Sequence, residues 1–158
     1  MADNFPPIDL ALATRDAIAN VEGKPLTLRG SETVFIVEDE PRLLSVFARI
    51  LTEYGYKVLQ AETCTSALLI CDEYPDAIDL LLADIMLAKS SGPQIAARLV
   101  SKRPEMKVLY MSGHPANSML ASAVIASGSR FIQKPIAPEA LIRQIRDVLD
   151  SSYQPHLA

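Results

Sequence analysis

From Thr33 onward the chain alternates short apolar runs with amphipathic segments five times over, and few architectures can absorb that pattern. TVFIVED opens the series. PRLLSVFARILTEYG follows, with Leu43, Phe47, Ile50 and Tyr54 at helical spacing, Pro41 at its start and Gly55 as its stop. YKVLQAE is a second strand and TSALLICDEY a second helix, ended by Pro75. DLLLAD is strand three; PQIAARLVSKR is a helix with Pro93 in its first turn and Pro104 beyond its end. KVLYMS, ANSMLASAVIAS, RFIQK and PEALIRQIRDVLD complete the series, with Gly128 closing the fourth helix. Near-continuous apolar strands between helices belong to a parallel sheet covered on both faces. The expectation is therefore an α/β fold: a doubly wound, five-stranded parallel sheet with helices on both faces. Sites in such sheets form at the carboxyl ends of the strands, near the switch in strand order.

The 158 residues, 49% of them hydrophobic, suffice for one domain with a full core. A net charge of −4 offers no basic footprint, so no nucleic-acid partner is expected. No apolar run approaches the ~18 residues of a membrane span. The opening MADNFPPIDL lacks the regions of a signal peptide, and a cytoplasmic protein is the expectation. Residues 1–31 read as an extension: a short Ala-rich helix over Ile8 to Val21, then the linker EGKPLTLRGSE. The domain proper is expected to run from 32 to 150, with 151–158 a tail too short for a DNA-binding or enzymatic output domain, which reads as a single-domain protein or as a piece of something larger. Cys64 and Cys71 sit seven positions apart in one helix, ~10 Å along its axis. A disulfide needs Cα atoms within ~7 Å, so both read as small buried hydrophobes. Two histidines and no CxxC spacing argue against zinc.

The strand ends carry the chemistry. Strand one ends in Glu38-Asp39, strand three in Asp84, strand four in Ser112-Gly113 and strand five in Lys134-Pro135. Singly, each has a bland explanation: an acid after a strand is often a helix cap, and a Ser before Gly is often a turn. Together they place three carboxylates, a hydroxyl and an ammonium on one edge. Clustered carboxylates raise one another's pKa unless a cation sits among them. Mg²⁺ suits that need, bound by one or two carboxylates, a carbonyl, waters and a phosphoryl oxygen. Ser112 and Lys134 could then supply the donor and fixed cation that a phosphoryl group wants.

IVEDE, the apolar strand ending in Asp84 with Gly92 eight residues on, YMSG and FIQKP stand in the order and at the intervals of a receiver domain. The stretch from Glu32 to Asp150 thus resembles the receivers of two-component response regulators, most closely those attached to hybrid sensor kinases. The resemblance implies the flavodoxin-like strand order 2-1-3-4-5. It implies Asp84 as the phosphoacceptor, with Mg²⁺ bound by Asp39, by Asp84 and by the Met86 carbonyl, and Glu38 acting mainly through water. Ser112 would hydrogen-bond the phosphoryl group, Lys134 would pair with one of its oxygens, and the Lys134–Pro135 bond would be cis. Phe131 would be the aromatic that turns inward on activation. The implied partners are a histidine kinase or histidine phosphotransfer protein and a downstream protein target. The chain would not be an enzyme beyond slow self-phosphorylation and self-dephosphorylation.

Ala88 stands where receivers most often carry Pro, which should loosen the loop slightly. Met86 and His114 occupy positions that, in receivers, tune hydrolysis of the phosphoryl group. From Pro115 to Ser129 there is not one charged residue, which marks the fourth helix for contact with a partner or a second copy; the N-terminal extension is the other candidate for a homodimer. Three other readings are open. A Mg²⁺-dependent aspartyl-phosphate phosphatase would usually carry a second acid at position 86. A flavodoxin-like cofactor binder would want a Ser/Thr/Gly-rich loop after strand one. A receiver fold used only for binding would not need the Asp39, Asp84, Ser112 and Lys134 set.

Overall fold

The computed structural model describes residues 28–113 and 119–152. The Ala-rich stretch Ile8 to Val21, His114 and the first residues of ANSMLASAVIAS lie outside the described residues. The elements alternate as expected: β1 (Thr33–Val37), α1 (Pro41–Glu53), β2 (Lys57–Ala61), α2 (Cys64–Glu73), β3 (Leu80–Asp84), α3 (Gly92–Lys102), β4 (Lys107–Ser112), α4 (Met119–Ala126), β5 (Arg130–Gln133) and α5 (Pro138–Asp150). All five strands are parallel, in the order β2-β1-β3-β4-β5. One feature was not anticipated. Between β3 and α3, Met86–Leu87 pairs antiparallel with Ser90–Ser91, folding the loop back on itself.

Successive strand residues point to opposite faces, and the core divides accordingly. Val34, Ile36, Leu80, Leu82, Leu109 and Met111 face α1 and α5. Phe35, Val37, Leu81, Ala83, Val108 and Tyr110 face α2, α3 and α4. Every residue of β1 and β3 is buried, which is why those strands carry no polar alternation. On α1 the deep positions are Leu44, Phe47, Ala48 and Leu51, while Leu43, Ile50 and Tyr54 flank them half-buried. The helix lies over a broad sheet face, so its apolar side is wider than the one stripe read from the sequence.

Helix ends are closed by specific chemistry. Thr63 with Ser66, and Ser91 with Gln94, form reciprocal capping boxes at the starts of α2 and α3. α1 and α5 instead begin with Pro41 and Pro138, whose fixed φ suits a first helical position. At the other ends, cations take the unpaired carbonyls. Arg103 donates to the carbonyls of Cys71, Tyr74 and Asp76, and Lys107 Nζ to those of Val148, Leu149 and Ser151. Cys71 is buried as expected. Cys64 is only half-buried, because it opens the first turn of α2, and its Sγ lies 3.5 Å from Arg98 Nη1.

Leu28 to Glu32, part of the stretch read as linker, pack onto the domain. Leu28 rests on the α1/α5 core, and its carbonyl accepts from Tyr56 Oη. Arg146 donates to both oxygens of Glu32, at 2.6 and 3.2 Å, and to both of Asp150, at 2.8 and 2.9 Å. The Arg146 hydrogen bonds hold the Glu32 pKa below its ordinary value against a smaller opposing effect of burial. A depressed carboxylate pKa gives stability that is present above the unfolded value and is lost as pH falls through the folded one. Glu32→Gln should therefore cost roughly 1 kcal/mol at neutral pH, the value discounted for Glu32's partial exposure. Urea unfolding of wild type and variant should converge on acidification below about pH 4, as wild-type Glu32 protonates.

Candidate functional site

The register explains why distant residues meet. Val37 pairs with Ala83, so the next residues, Glu38 and Asp84, lie side by side at the carboxyl end of the sheet. Asp84 pairs with Met111 and Ser112 with Gln133, which carries the line on to Lys134. Counting by twos from Ile36, Leu82 and Ile132 puts Glu38, Asp84 and Lys134 on the α1/α5 face. β1 and β3 are also the strands between which the chain order reverses, where such sheets open their crevice.

Lys134 Nζ bridges the two acids, 2.5 Å from Glu38 Oε2 and 2.5 Å from Asp84 Oδ2. All three side chains are nearly removed from solvent; Lys134 retains 12% exposure, Glu38 2% and Asp84 10%. Asp84 Oδ1 accepts from the Met86 amide at 2.8 Å, and Glu38 Oε1 from the Glu40 amide at 3.2 Å. Burial pushes the Glu38 carboxyl above its usual range, and the Lys134 contact only partly offsets it. Burial works against the Lys134 ammonium as well. Its hydrogen bonds to Asp84 and Glu38, together with their charges, outweigh that and leave its pKa raised. One ammonium thus serves two buried carboxylates, and the site is short of positive charge.

Asp39 lies beside this cluster and is held differently: its Oδ2 accepts from the Ala88 amide at 2.7 Å. Ser112 is fully buried, and its carbonyl accepts from the Lys134 amide at 2.7 Å. The Lys134–Pro135 peptide is cis, as the resemblance implied. Met86 exposes its side chain to solvent. Phe131 is half-buried against the core beneath α4 and lines an open groove of about 510 Å³ with Ile125, Gly128, Ser129, Arg130 and Gln144. Among the described residues, no three His, Cys, Asp or Glu side chains converge closely enough to form a metal cage of their own.

Gly92 has a steric reason. A Cβ there would come 2.3 Å from the Asp84 carbonyl oxygen, because α3 begins directly against the backbone of the strand end. Its amide donates to the Ile85 carbonyl at 2.9 Å, locking the loop shut. Gly92→Ala should force Asp84 and α3 apart and cost roughly 1–3 kcal/mol, read as a lower urea midpoint. Sequence reasoning missed the Ala88 amide. A residue other than proline keeps an N–H, but nothing in the sequence says which acceptor that donor meets.

The sequence profile of the response regulator receiver domain family matches residues 34–146. A sensor kinase, CckA, of Brucella abortus is 27% identical over 127 residues, which are 80% of this chain and 13% of that protein. The chain therefore spans a small part of this curated relative. Among solved structures, the receiver domain of the hybrid histidine kinase CckA is 30% identical, with a TM-score of 0.63 over 75% of this chain and 99% of that one. A CheY-like receiver domain protein from Methanospirillum hungatei is 28% identical, with a TM-score of 0.67 over 77% and 95%. No helix among the described residues is long and apolar enough to cross a membrane. The matched stretch covers well over half of the chain, and the sheet order agrees with it: the chain belongs to the response regulator receiver domain family of two-component signalling.

Proposed function

We propose that this receiver accepts a phosphoryl group on Asp84 from a phosphohistidine of a histidine kinase or phosphotransfer protein, and that the added charge switches a protein contact. The observation that carries the reading is Lys134 bridging Glu38 and Asp84 at the carboxyl end of the sheet. Transfer forms an O–P bond at an Asp84 oxygen as the donor's N–P bond breaks. Lys134, already on Asp84, lies within reach of the phosphoryl oxygens, and Ser112 on the neighbouring strand is the candidate hydroxyl donor.

The oxygen-rich, charge-deficient site fits Mg²⁺, which keeps several waters and asks for few protein ligands. Asp39, Asp84 and the Met86 carbonyl would hold it, with Glu38 acting through water. Bound there, Mg²⁺ would screen the repulsion between a carboxylate nucleophile and an anionic phosphoryl group.

The switched contact is assigned to α4 and its neighbour Phe131. Met119 is 90% exposed and Ile125 49%, an apolar face with no charge on it. Phe131 sits on the strand that leads into Lys134 and borders the same groove, so a shift at the lysine reaches this face through a few residues. Incubation with acetyl phosphate should add one phosphoryl mass in Mg²⁺ and none in EDTA, by intact mass spectrometry. No adduct under either condition would sink the proposal, and catalytic turnover of a small phosphate ester would favour a phosphatase.

A further inference from the structure

The Ala88 amide reaches across from the loop after β3 to the carboxylate that follows β1, 2.7 Å from Asp39 Oδ2 and 49 residues away in sequence. Proline has no N–H and could not make this bond. The sequence suggested that Ala88 loosens the loop; the geometry points the other way. The amide sits at the turn of the small ladder formed by Met86–Leu87 and Ser90–Ser91. The near end of that ladder is held by the Met86 amide on Asp84 Oδ1. Asp84, the Met86 backbone and Asp39 are thereby tied to one loop by two amide–carboxylate bonds. These are the three groups assigned to the cation above.

We propose that Ala88 is a positioning residue of the cation site, its amide fixing the Asp39 carboxylate against the loop that contributes the Met86 carbonyl. The inference rests on the Mg²⁺ reading of the site. A carboxylate offers about four lone-pair positions, so one N–H on Oδ2 is compatible with a cation on the same group. The bond restrains the Asp39 side chain and docks the loop before the ion arrives, so less freedom is lost on binding.

Ala88→Pro removes the donor, and Ala88→Ser keeps it. By titration calorimetry, Ala88→Pro should bind Mg²⁺ about 3- to 10-fold more weakly than wild type, and Ala88→Ser within about twofold. In EDTA, the Ala88 amide should exchange slowly with solvent, and Asp39→Ala should speed that exchange by about tenfold or more. Equal or tighter Mg²⁺ binding by Ala88→Pro overturns the positioning role. An Ala88 exchange rate indifferent to Asp39→Ala overturns the bond itself. A wild type that takes up no Mg²⁺ overturns the cation reading and the positioning role with it. The exchange measurement, made without metal, tells that failure apart from a missing bond.

Discussion

Asp84→Asn is expected to lower phosphoryl acceptance by roughly 100-fold or more, to the background of chance reaction at other groups, because an amide is no nucleophile for phosphorus. The loss should be chemical rather than structural. Asn has the shape of Asp, its carbonyl can still accept from the Met86 amide, and Lys134 keeps Glu38 as a partner. The substitution also removes one of two buried carboxylates that share a single ammonium, which relieves a repulsion. Urea unfolding should therefore find the variant as stable as wild type or more so, while intact mass after acetyl phosphate finds no Mg²⁺-dependent adduct. A variant that folds normally and still takes up the phosphoryl group at the wild-type rate would remove Asp84 from the reaction.

Lys134→Met should have the largest effect on stability. The methionine keeps most of the aliphatic stem but leaves Glu38 and Asp84 facing each other, buried, with no cation between them. Removing one partner from a buried charged set costs about 3–5 kcal/mol. The pH dependence carries the signature. Glu38 already has a raised pKa, and without Lys134 it should rise further. A group raised in the folded state favours folding below its unfolded pKa and loses that contribution as pH rises through the folded one. Measured by urea unfolding in EDTA, the variant should thus lie nearest to wild type around pH 4 and fall away as pH rises. Wild type should in turn lose stability above about pH 10.5, as Lys134 deprotonates, and the variant should lack that alkaline loss. A variant with unchanged stability at neutral pH would mean that the bridge does not hold the strand ends together.

The alternation of strands and helices was legible because its determinants are local and periodic, while the strand order came from the resemblance to receiver domains. Apolar runs such as TVFIV and LLLAD announce strands covered on both sides, and prolines and glycines mark the helix limits between them. Once the strands are parallel, their ends share an edge, and the order β2-β1-β3-β4-β5 then brings Glu38, Asp84 and Lys134 together. What stayed hidden depends on backbone geometry. The Asp39–Ala88 bond joins a side chain to a main-chain amide 49 positions away, and main-chain donors leave no mark on composition. The Arg146 clamp pairs α5 with Glu32, in a stretch whose Gly and Ser read as linker. Gly30 belongs to the packing there, since a Cβ would meet the Tyr56 ring at 2.3 Å. The α1 stripe was displaced because sequence spacing gives the period of a buried face, while the sheet beneath it sets the width.

The most direct test locates the phosphoryl group. Wild-type protein incubated with acetyl phosphate and Mg²⁺ is reduced with borohydride, which converts an aspartyl phosphate to homoserine, and the product is mapped by tandem mass spectrometry. The expected result is homoserine at position 84, abolished by EDTA. Conversion at another acid of the cluster, such as Asp39 or Glu38, or at no residue, would contradict the central claim.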